Sequence, residues 1–292
     1  MKLAHLILVH KDPLQVERLV KRLCHPDADI YIHLDAKAEM ELFKYLEELN
    51  NVFFIKKRVK IHWGNYSIIQ ATLNSFDQIL STGNQYSHVN LLSGQDYPLK
   101  NNNCFIDFLS NNTNKTFMHS LSIDDEWQEA QPRINRYHFG DFMFRGRHRL
   151  QQIVNFFTPL RKMPAGLKPY GRSQWFTITP ACALYCINFL KDNPGVKNYF
   201  RMTWGPDEFL FQTLLYNSPF RDSIVNDNLR YIHFEPGEHH PQTLTIADAD
   251  ELVRSGKFFG RKFNTEQDSE ILNYMDTVAG SESDYQLKST AS

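Results

Sequence analysis

The chain has 292 residues, 42% hydrophobic and 22% charged, which is enough for one large globular domain with an insertion. Its formal net charge of −1 disfavours a nucleic-acid-binding protein, because such proteins carry a strongly basic surface. Four cysteines without a CxxC pair argue against a disulfide framework or a zinc site. No run approaches the roughly 20 apolar residues of a membrane helix, and the short N-terminal apolar run does not resemble a signal peptide.

The first 120 residues alternate between strand-like and helix-like patterns. Runs rich in apolar and β-branched residues predict strands: LAHLILVH, DIYIHLD, NVFFIKK, HVNLLSG and KTFMHSL. Runs with apolar residues at helical spacing predict helices: LQVERLVKRL, ELFKYLEEL, SIIQATLNSFDQILS and CFIDFLSN. Because strands that alternate with helices usually pair in parallel, we predict an α/β fold with a mostly parallel central sheet flanked by helices.

The alternation stops between residues 122 and 172, where the sequence becomes charged and aromatic. We interpret 122–172 as an insertion over the sheet. After it, QWFTIT and LRYIHF predict strands, and PACALYCINFLKDN and DEFLFQTLLYNS predict helices. Residues 279–292 are polar and predict a disordered tail, so residues 1–278 form the predicted single domain.

Arginines alternate with aromatic residues inside the insertion. They are Arg133, Arg136, Arg145, Arg147 and Arg149, with Trp127, Tyr137, Phe139 and Phe142 between them. Such a pattern can stack on bases or on sugar faces, and it equally suits a mobile lid that packs on itself. The near-neutral overall charge disfavours the nucleic-acid interpretation.

Polar residues follow the predicted strands at the points where ligands bind in open α/β sheets. Val9 and His10 end the first strand, Asp35 follows the second, and the turn Ser93-Gly94-Gln95-Asp96 follows the fourth. A carboxylate at position 35 can hold a ribose hydroxyl, but capping of the next helix is the commoner role.

Motifs for common cofactors are missing from the sequence. It contains neither GxGxxG nor the P-loop pattern. Its two DAD triplets, at 27–29 and 248–250, do not follow an apolar strand, and Asp96 alone is a poor ligand set for a metal. We predict no cofactor and no metal.

Two further stretches carry charge that suits group-transfer chemistry. Asp207 and Glu208 stand at a helix start, where Glu208 either favours the helix dipole or acts as a general base. Lys257, Arg261 and Lys262 either form a solvated basic face or neutralise a departing diphosphate without a metal.

Taken together, nine stretches resemble the core-2/I-branching glycosyltransferases, the family that also contains the peptide O-xylosyltransferases. They lie in the family's order from about residue 3 to 264: LILVHKDP, IYIHLDAKA, WGNYSIIQATL, VNLLSGQDYPLK, SQWFTIT, GPDEFLFQTLLYNSPF, LRYIHF, HPQTLTIADADEL and SGKFFGRKF. The resemblance implies a GT-A-type fold with 122–172 on the acceptor side. It implies an inverting transferase that uses a UDP-sugar, and a family in which basic side chains replace the metal-binding DxD motif. Because the chain shows neither the membrane anchor nor the disulfides of animal members, it is similar to a bacterial member.

The resemblance also implies roles for individual residues. Glu208 matches the catalytic base and Lys262 the diphosphate-binding lysine, whereas His240 stands where branching enzymes have an arginine, so that His240, Arg254 or Arg261 supplies the second diphosphate contact. The other implied donor contacts are Val9, His10 and Asp35 at the uridine and Asp96 at a sugar. The implied substrate contacts are Ser93, Gln95, Trp175 and Asp207, together with the region 127–137.

The main hypothesis is therefore a metal-independent, inverting glycosyltransferase. GlcNAc or xylose is the favoured sugar, and the acceptor is a hydroxyl of a glycan, a lipid-linked oligosaccharide or another glycoconjugate. A non-catalytic nucleotide-sugar or carbohydrate-binding protein on the same fold is the alternative, and a nucleic-acid-binding protein is disfavoured. We expect a cytoplasmic location, with peripheral contact at the cytosolic face of the membrane left open, and predict no oligomeric state.

Overall fold

The computed structural model describes residues 2–142, 144–235, 237 and 240–289, with the backbone alone described from residue 280 onward. Within these residues ten strands form two sheets. The strands are β1 (Lys2–Val9), β2 (Ala28–Leu34), β3 (Val52–Phe54), β4 (Tyr86–Ser93), β5 (Asp96–Pro98), β6 (Thr116–Ser122), β7 (Tyr170–Ile178), β8 (Ile224–Val225), β9 (Arg230–Ile232) and β10 (Phe259–Arg261). The α-helices are α1 (Pro13–Leu23), α2 (Ser67–Ser81), α3 (Asn102–Ser110), α4 (Gln131–Asn135), α5 (Arg147–Phe157), α6 (Pro180–Asp192), α7 (Pro194–Arg201), α8 (Leu210–Tyr216), α9 (Ala249–Arg254) and α10 (Glu270–Ser289).

The larger sheet has seven strands in the order β3-β2-β1-β4-β7-β6-β8. β1 pairs in parallel with both β2 and β4, and β2 pairs in parallel with β3. β7 runs antiparallel to both of its neighbours, β4 and β6. The predicted α/β class, with a mostly parallel central sheet flanked by helices, is confirmed.

The two faces of this sheet bury two separate hydrophobic clusters. Along β1, Leu6 and Leu8 pack into one cluster, and the alternating residues Ile7 and Val9 pack into the other. α2, α6 and α8 cover the first face, and α1, α3 and α10 cover the second. A strand buried on both faces explains why β1 reads as a continuous apolar run.

One predicted helix differs in the structure. ELFKYLEEL forms two 3-10 turns, Met40–Leu42 and Lys44–Glu48, in place of an α-helix. Of its apolar side chains only Phe43 and Leu46 are buried, and an interval of three residues matches one turn of 3-10 helix. The strand predicted over LRYIHF is confirmed as the short β9, in the second sheet with the order β5-β10-β9.

The C-terminal helix α10 extends from Glu270 to Ser289, and residues 290–292 lie outside the described residues. The disordered tail that the sequence predicts over 279–292 stays a prediction. Ile271, Leu272, Met275 and Ala279 are buried and anchor the first half of this helix. Its polar second half continues from that anchored turn, since adding residues to a formed helix costs less than nucleating one.

The segment predicted as an insertion joins the antiparallel neighbours β6 and β7 and carries α4 and α5. No helix in the described part of the chain combines the length and the apolar character needed to cross a membrane.

Candidate active site

The turn between β4 and β5 is closed by its own side chains. Asp96 is 1% exposed, and its Oδ2 accepts a hydrogen bond from the Ser93 backbone N–H at 3.0 Å. Ser93 Oγ in turn accepts from the Gln95 N–H at 3.1 Å. A strand therefore ends on Ser-Gly-Gln-Asp because the acid folds back and satisfies the amides of the turn.

The other oxygen of Asp96 pairs with a predicted cation. Arg261 Nη1 donates to Asp96 Oδ1 at 2.7 Å, and the two side chains are 16% and 0% exposed. The Arg261 guanidinium lies 4.4 Å from the centre of the Trp175 ring. Three predicted site residues thus form one cluster. The carboxylate of Asp96 is covered and positions Arg261, and the predicted contact of Asp96 with a sugar stays a prediction.

A buried glutamine that the sequence analysis missed connects this turn to the C-terminal basic stretch. Gln15 Nε2 donates to the carbonyls of Gly94 and Phe263, each at 3.1 Å, and Gln15 Oε1 accepts from the Thr265 N–H at 2.9 Å. The Phe263 N–H also donates to the Gln95 carbonyl at 2.9 Å. The sequence contains an indication of this role, because Gln15 is a polar residue on the buried side of α1, beside Val16 and Leu19.

The three predicted cations near the C-terminus are in different states. Lys257 is paired with Asp227 at 2.6 Å, and Arg261 is paired with Asp96. Lys262 is half-buried, and its ammonium makes no hydrogen bond or ion pair with the residues that the structure describes. Because Asp96 balances the charge of Arg261, Lys262 is the cation of this stretch whose charge is left for a ligand.

Glu208 lies in a 3-10 turn, Pro206–Glu208, that precedes α8, so the predicted helix begins later than expected. Its side chain is 36% exposed, and Oε2 is 2.8 Å from Arg133 Nη2. Arg133 also donates to the carbonyls of Trp204 and Gly205. Gly205 has φ +60°, and a Cβ there would lie 2.1 Å from Arg133 Nη2, so the turn requires glycine.

Arg133 comes from the insertion and is held by aromatic rings. Its guanidinium is 4.6 Å from the centre of the Phe209 ring and 5.4 Å from that of Trp127. Cation–π contacts and carbonyl acceptors together fix the fork that holds Glu208. The sequence analysis placed Arg133 in the insertion's arginine pattern without connecting it to the carboxylate.

Asp207 is a half-buried acid whose Oδ1 is covered and has no hydrogen-bond partner among the described residues. Burial, followed by the negative charge of Glu208, raises the pKa of Asp207 to about 7. The predicted substrate contact of Asp207 stays a prediction. Its chemistry is that of a carboxyl which holds or releases a proton near neutral pH.

Aromatic side chains stand beside the Glu208 turn. Trp63, 65% exposed, makes an edge contact with Trp204 at 5.3 Å between ring centres and lies 5.2 Å from the ring of His240. The Gly205 N–H donates to the Gly64 carbonyl at 2.8 Å, which joins the two Trp-Gly segments. His240 therefore extends this aromatic surface. Of the three alternatives for the second diphosphate contact, Arg261 is the direct neighbour of Lys262, and Arg254 donates to the Asp250 carbonyl of its own helix.

The predicted uridine contacts lie at the ends of β1 and β2. Val9 is buried, and its carbonyl accepts from the Asp35 N–H at 2.8 Å. Asp35 is 3% exposed and accepts from the N–H groups of Lys37 at 2.8 Å and Ile61 at 3.4 Å. Asp35 thus closes the turn after β2 and caps no helix, because the next helical turn starts at Met40; its predicted contact with the uridine stays a prediction. His10 is exposed, and desolvation of its ring, followed by the charge of Lys11, lowers its pKa.

β7 lies against both the Glu208 turn and Arg261. A Cβ on Gly171 would lie 2.5 Å from the Glu208 carbonyl oxygen, so strand and turn are in backbone contact. Trp175, four residues further along β7, carries the contact to Arg261. At about 3.3 Å per residue, these two points are about 13 Å apart.

The described residues contain no group of three or more histidine, cysteine, aspartate or glutamate side chains that could hold a metal ion. The Asp27-Ala28-Asp29 triplet is partly structural: Asp29 is buried and accepts from Tyr86 Oη at 2.7 Å and Lys2 Nζ at 3.0 Å. In the second triplet, Asp248 closes a capping box with Thr245.

A model of the Core-2/I-Branching enzyme family matches residues 3–253, which is most of the chain. The chain belongs to the core-2/I-branching enzyme family. Rat xylosyltransferase 2 is 27% identical over 303 residues, covering 94% of this chain and 33% of the relative, and Ciona intestinalis xylosyltransferase is 25% identical over 301 residues. The chain thus spans about a third of the length of the curated relatives that it matches.

Mouse xyloside xylosyltransferase 1, in its apo form, superposes on 88% of the chain with 10% identity and a TM-score of 0.40. The site of the present chain, a core-2/I-branching family member, also contains residues that the sequence analysis did not identify. Gln15 and Arg133 hold the predicted residues in place, and Trp63 and Trp204 form the surface beside Glu208. A sequence pattern identifies charged residues more readily than the partners that position them.

Proposed function

We propose that this core-2/I-branching family member is an inverting glycosyltransferase that moves a sugar from a UDP-sugar to an acceptor hydroxyl without a metal ion. The observation that carries the proposal is the arrangement along β7. The backbone of the Glu208 turn lies against Gly171, near the start of the strand, and Trp175, four residues or about 13 Å further along, stacks on Arg261. An accessible carboxylate and a pair of cations are therefore attached to the same strand, as a base and a diphosphate site for one donor require.

Glu208 suits the role of general base. Arg133 pairs with Oε2 and orients it, while 36% of the side chain remains exposed to an acceptor. The acceptor oxygen attacks the anomeric carbon of the sugar, and its hydroxyl proton passes to Glu208. The bond from that carbon to the UDP oxygen breaks, and UDP leaves with the electron pair.

The leaving diphosphate gains negative charge in this step, and the basic stretch suits its stabilisation. Arg261 is held by Asp96 and stacked on Trp175, so it is already oriented before a ligand arrives. Lys262 adds the charge that no acid among the described residues balances.

Xylose and GlcNAc remain the proposed donor sugars, with a glycan, lipid-linked oligosaccharide or other glycoconjugate as the acceptor. The names of the relatives, xylosyltransferases of rat and Ciona intestinalis, support xylose. Trp63, which is exposed and packs on the half-buried Trp204 of the Glu208 turn, suits a sugar ring, because aromatic faces pack against the apolar face of a pyranose.

The test is UDP release from a panel of UDP-sugars with glycan acceptors, comparing wild type with Glu208→Gln. We expect release from one sugar and a loss of about a hundredfold or more in the variant, because general-base catalysis contributes that much. Glu48→Gln, at an exposed glutamate of the 3-10 turn Lys44–Glu48 and outside the predicted site, is the matched control and should retain full activity. Near-normal transfer by Glu208→Gln would show that the base is another group. Calorimetric binding of a UDP-sugar without release by the wild type would support the non-catalytic alternative.

A further inference from the structure

α5 presents its apolar side to solvent. Phe156 is 81% exposed, Phe157 77% and Ile153 54%. Leu150, Phe144 and Leu160, on or next to the same helix, are 43%, 46% and 55% exposed. None of the residues of α5 is buried. At 100° per residue, positions 150, 153, 156 and 157 fall within one side of the helix, so these side chains form a continuous apolar surface.

The opposite side of α5 attaches to the protein through amides. Asn155 Oδ1 accepts from the Tyr137 N–H at 2.8 Å, and Asn155 Nδ2 donates to the Tyr137 carbonyl at 2.8 Å. Gln151 Oε1 accepts from the Phe139 N–H at 2.8 Å. A surface helix of a globular protein normally buries its apolar side and exposes its polar side. α5 has the reverse orientation, and exposed apolar surfaces of this kind mark interaction sites.

The charge around this surface has one sign. Residues 142–169 contain six lysines and arginines and no aspartate or glutamate, although the whole chain carries a net charge of −1. The rest of the chain therefore carries −7. Arg145, Arg149, Lys162 and Lys168 are exposed. An apolar helix surface rimmed by cations matches the apolar interior and the anionic headgroups of a lipid bilayer.

We propose that this α5 surface, formed by Phe144, Leu150, Ile153, Phe156, Phe157 and Leu160 with the cations around them, binds an anionic membrane. A second copy of the chain fits less well, because a symmetric contact would bring two segments of charge +6 together. The insertion that carries α5 also carries Arg133, so the bound lipid surface would lie on the same insertion as the contact to Glu208. This inference does not depend on the transferase reaction.

The experiment is flotation of the full chain with vesicles of phosphatidylcholine alone or enriched in phosphatidylglycerol. We expect at least about tenfold tighter binding to the anionic vesicles, weakened by salt. Phe156→Ser with Phe157→Ser should lower that affinity by about tenfold or more, and Arg145→Gln with Arg149→Gln should reduce it to the level of neutral vesicles.

Leu14→Ser with Leu184→Ser removes two exposed apolar side chains from other helices and is the matched control, which should bind as the wild type does. All substituted side chains are exposed, so the variants should keep the wild-type thermal transition. Absence of vesicle binding, or binding that the phenylalanine variant leaves unchanged, would overturn the proposal. So would a wild-type dimer that the same variant dissociates, which would assign the surface to self-association.

Discussion

At the scale of single residues, what the basic stretch 257–262 can offer a ligand depends on which of its cations are already paired with an acid. Asp96 holds Arg261 at 2.7 Å, and Asp227 holds Lys257 at 2.6 Å. Lys262 follows them in sequence with no acidic partner among the described residues. A diphosphate ligand therefore gains most from Lys262.

We predict that Lys262→Ala lowers the affinity for UDP by about ten- to a hundredfold, since a charge-assisted hydrogen bond contributes about 1.5–3 kcal/mol. Isothermal titration calorimetry measures the change directly. Lys257→Ala is the matched control, because its charge is used by Asp227, and it should change UDP affinity by less than about threefold. Equal losses in the two variants would mean that the stretch acts only through its summed charge.

Asp207 links the site to pH. Burial, followed by the charge of Glu208, raises the pKa of Asp207 from 3.8 to about 7, so between these values the folded chain binds more protons than the unfolded chain. The free energy of unfolding therefore falls as the pH rises through that window. Below pH 3.8 the carboxyl is protonated in both the folded and the unfolded chain, so Asp207 no longer makes the free energy of unfolding depend on pH.

Asp207→Asn should remove that dependence. We predict that it is more stable than wild type at about pH 8, by on the order of 2 kcal/mol, with a smaller difference at about pH 5. Urea denaturation at each pH measures the difference. Asp222→Asn, at an exposed aspartate, should follow the wild-type curve. Curves for Asp207→Asn and wild type that stay parallel across the window would contradict the assigned pKa.

At the scale of elements, the site depends on contacts between segments that are far apart in the chain. Gln15 of α1 bonds the turn at Gly94 and the strand end at Phe263, 79 and 248 residues away. β10 pairs with β5 and β9, so the basic stretch is held against the Ser93–Asp96 turn.

We predict that Gln15→Ala lowers the free energy of unfolding by about 1–3 kcal/mol, because it leaves two buried carbonyls and one N–H without their partner. Urea denaturation checks this, with Gln85→Ala at an exposed position as the control, expected within about 0.5 kcal/mol of wild type. UDP affinity should fall in the same variant as the turn loosens. A loss no larger than that of the control would show that the Gln15 bonds are replaced by water.

Local patterns predicted the elements whose burial is continuous or strictly periodic. β1, β2, β4 and α2 are of this kind, since each buries most of one or both faces. The helix predicted over ELFKYLEEL was wrong, because only two of its apolar side chains find a buried partner elsewhere in the fold. The strand predicted over LRYIHF is confirmed, but its pairing with β10 could not be predicted, because that partner lies about 30 residues away in the chain.

The same division applies to the site. Residue chemistry singled out Glu208, Asp96, Arg261 and Lys262, and the family resemblance added Trp175; the structure brings Asp96, Arg261 and Trp175 into one cluster. The burial of Asp96 and the ion pair between Arg133 and Glu208 could not be predicted from the sequence. Both depend on contacts between residues more than 70 positions apart in the chain.

At the scale of the whole molecule, the site lies where two sheets and the insertion meet. β7 belongs to the central sheet, Arg261 to the three-stranded sheet, and Arg133 to the segment between β6 and β7. The proposed membrane surface on α5 lies in that same segment. The proposed catalytic carboxylate, the proposed diphosphate cations and the proposed lipid contact thus lie in three different parts of the chain.

The central claim is that side chains, not a metal ion, stabilise the leaving UDP. The most direct measurement is the rate of UDP release from the preferred UDP-sugar before and after EDTA treatment, and after addition of Mn²⁺ or Mg²⁺. We predict that the rate stays within about twofold in all three conditions, because Lys262 and Arg261 supply the positive charge that a metal supplies elsewhere. A rate that EDTA abolishes and Mn²⁺ or Mg²⁺ restores would contradict the account.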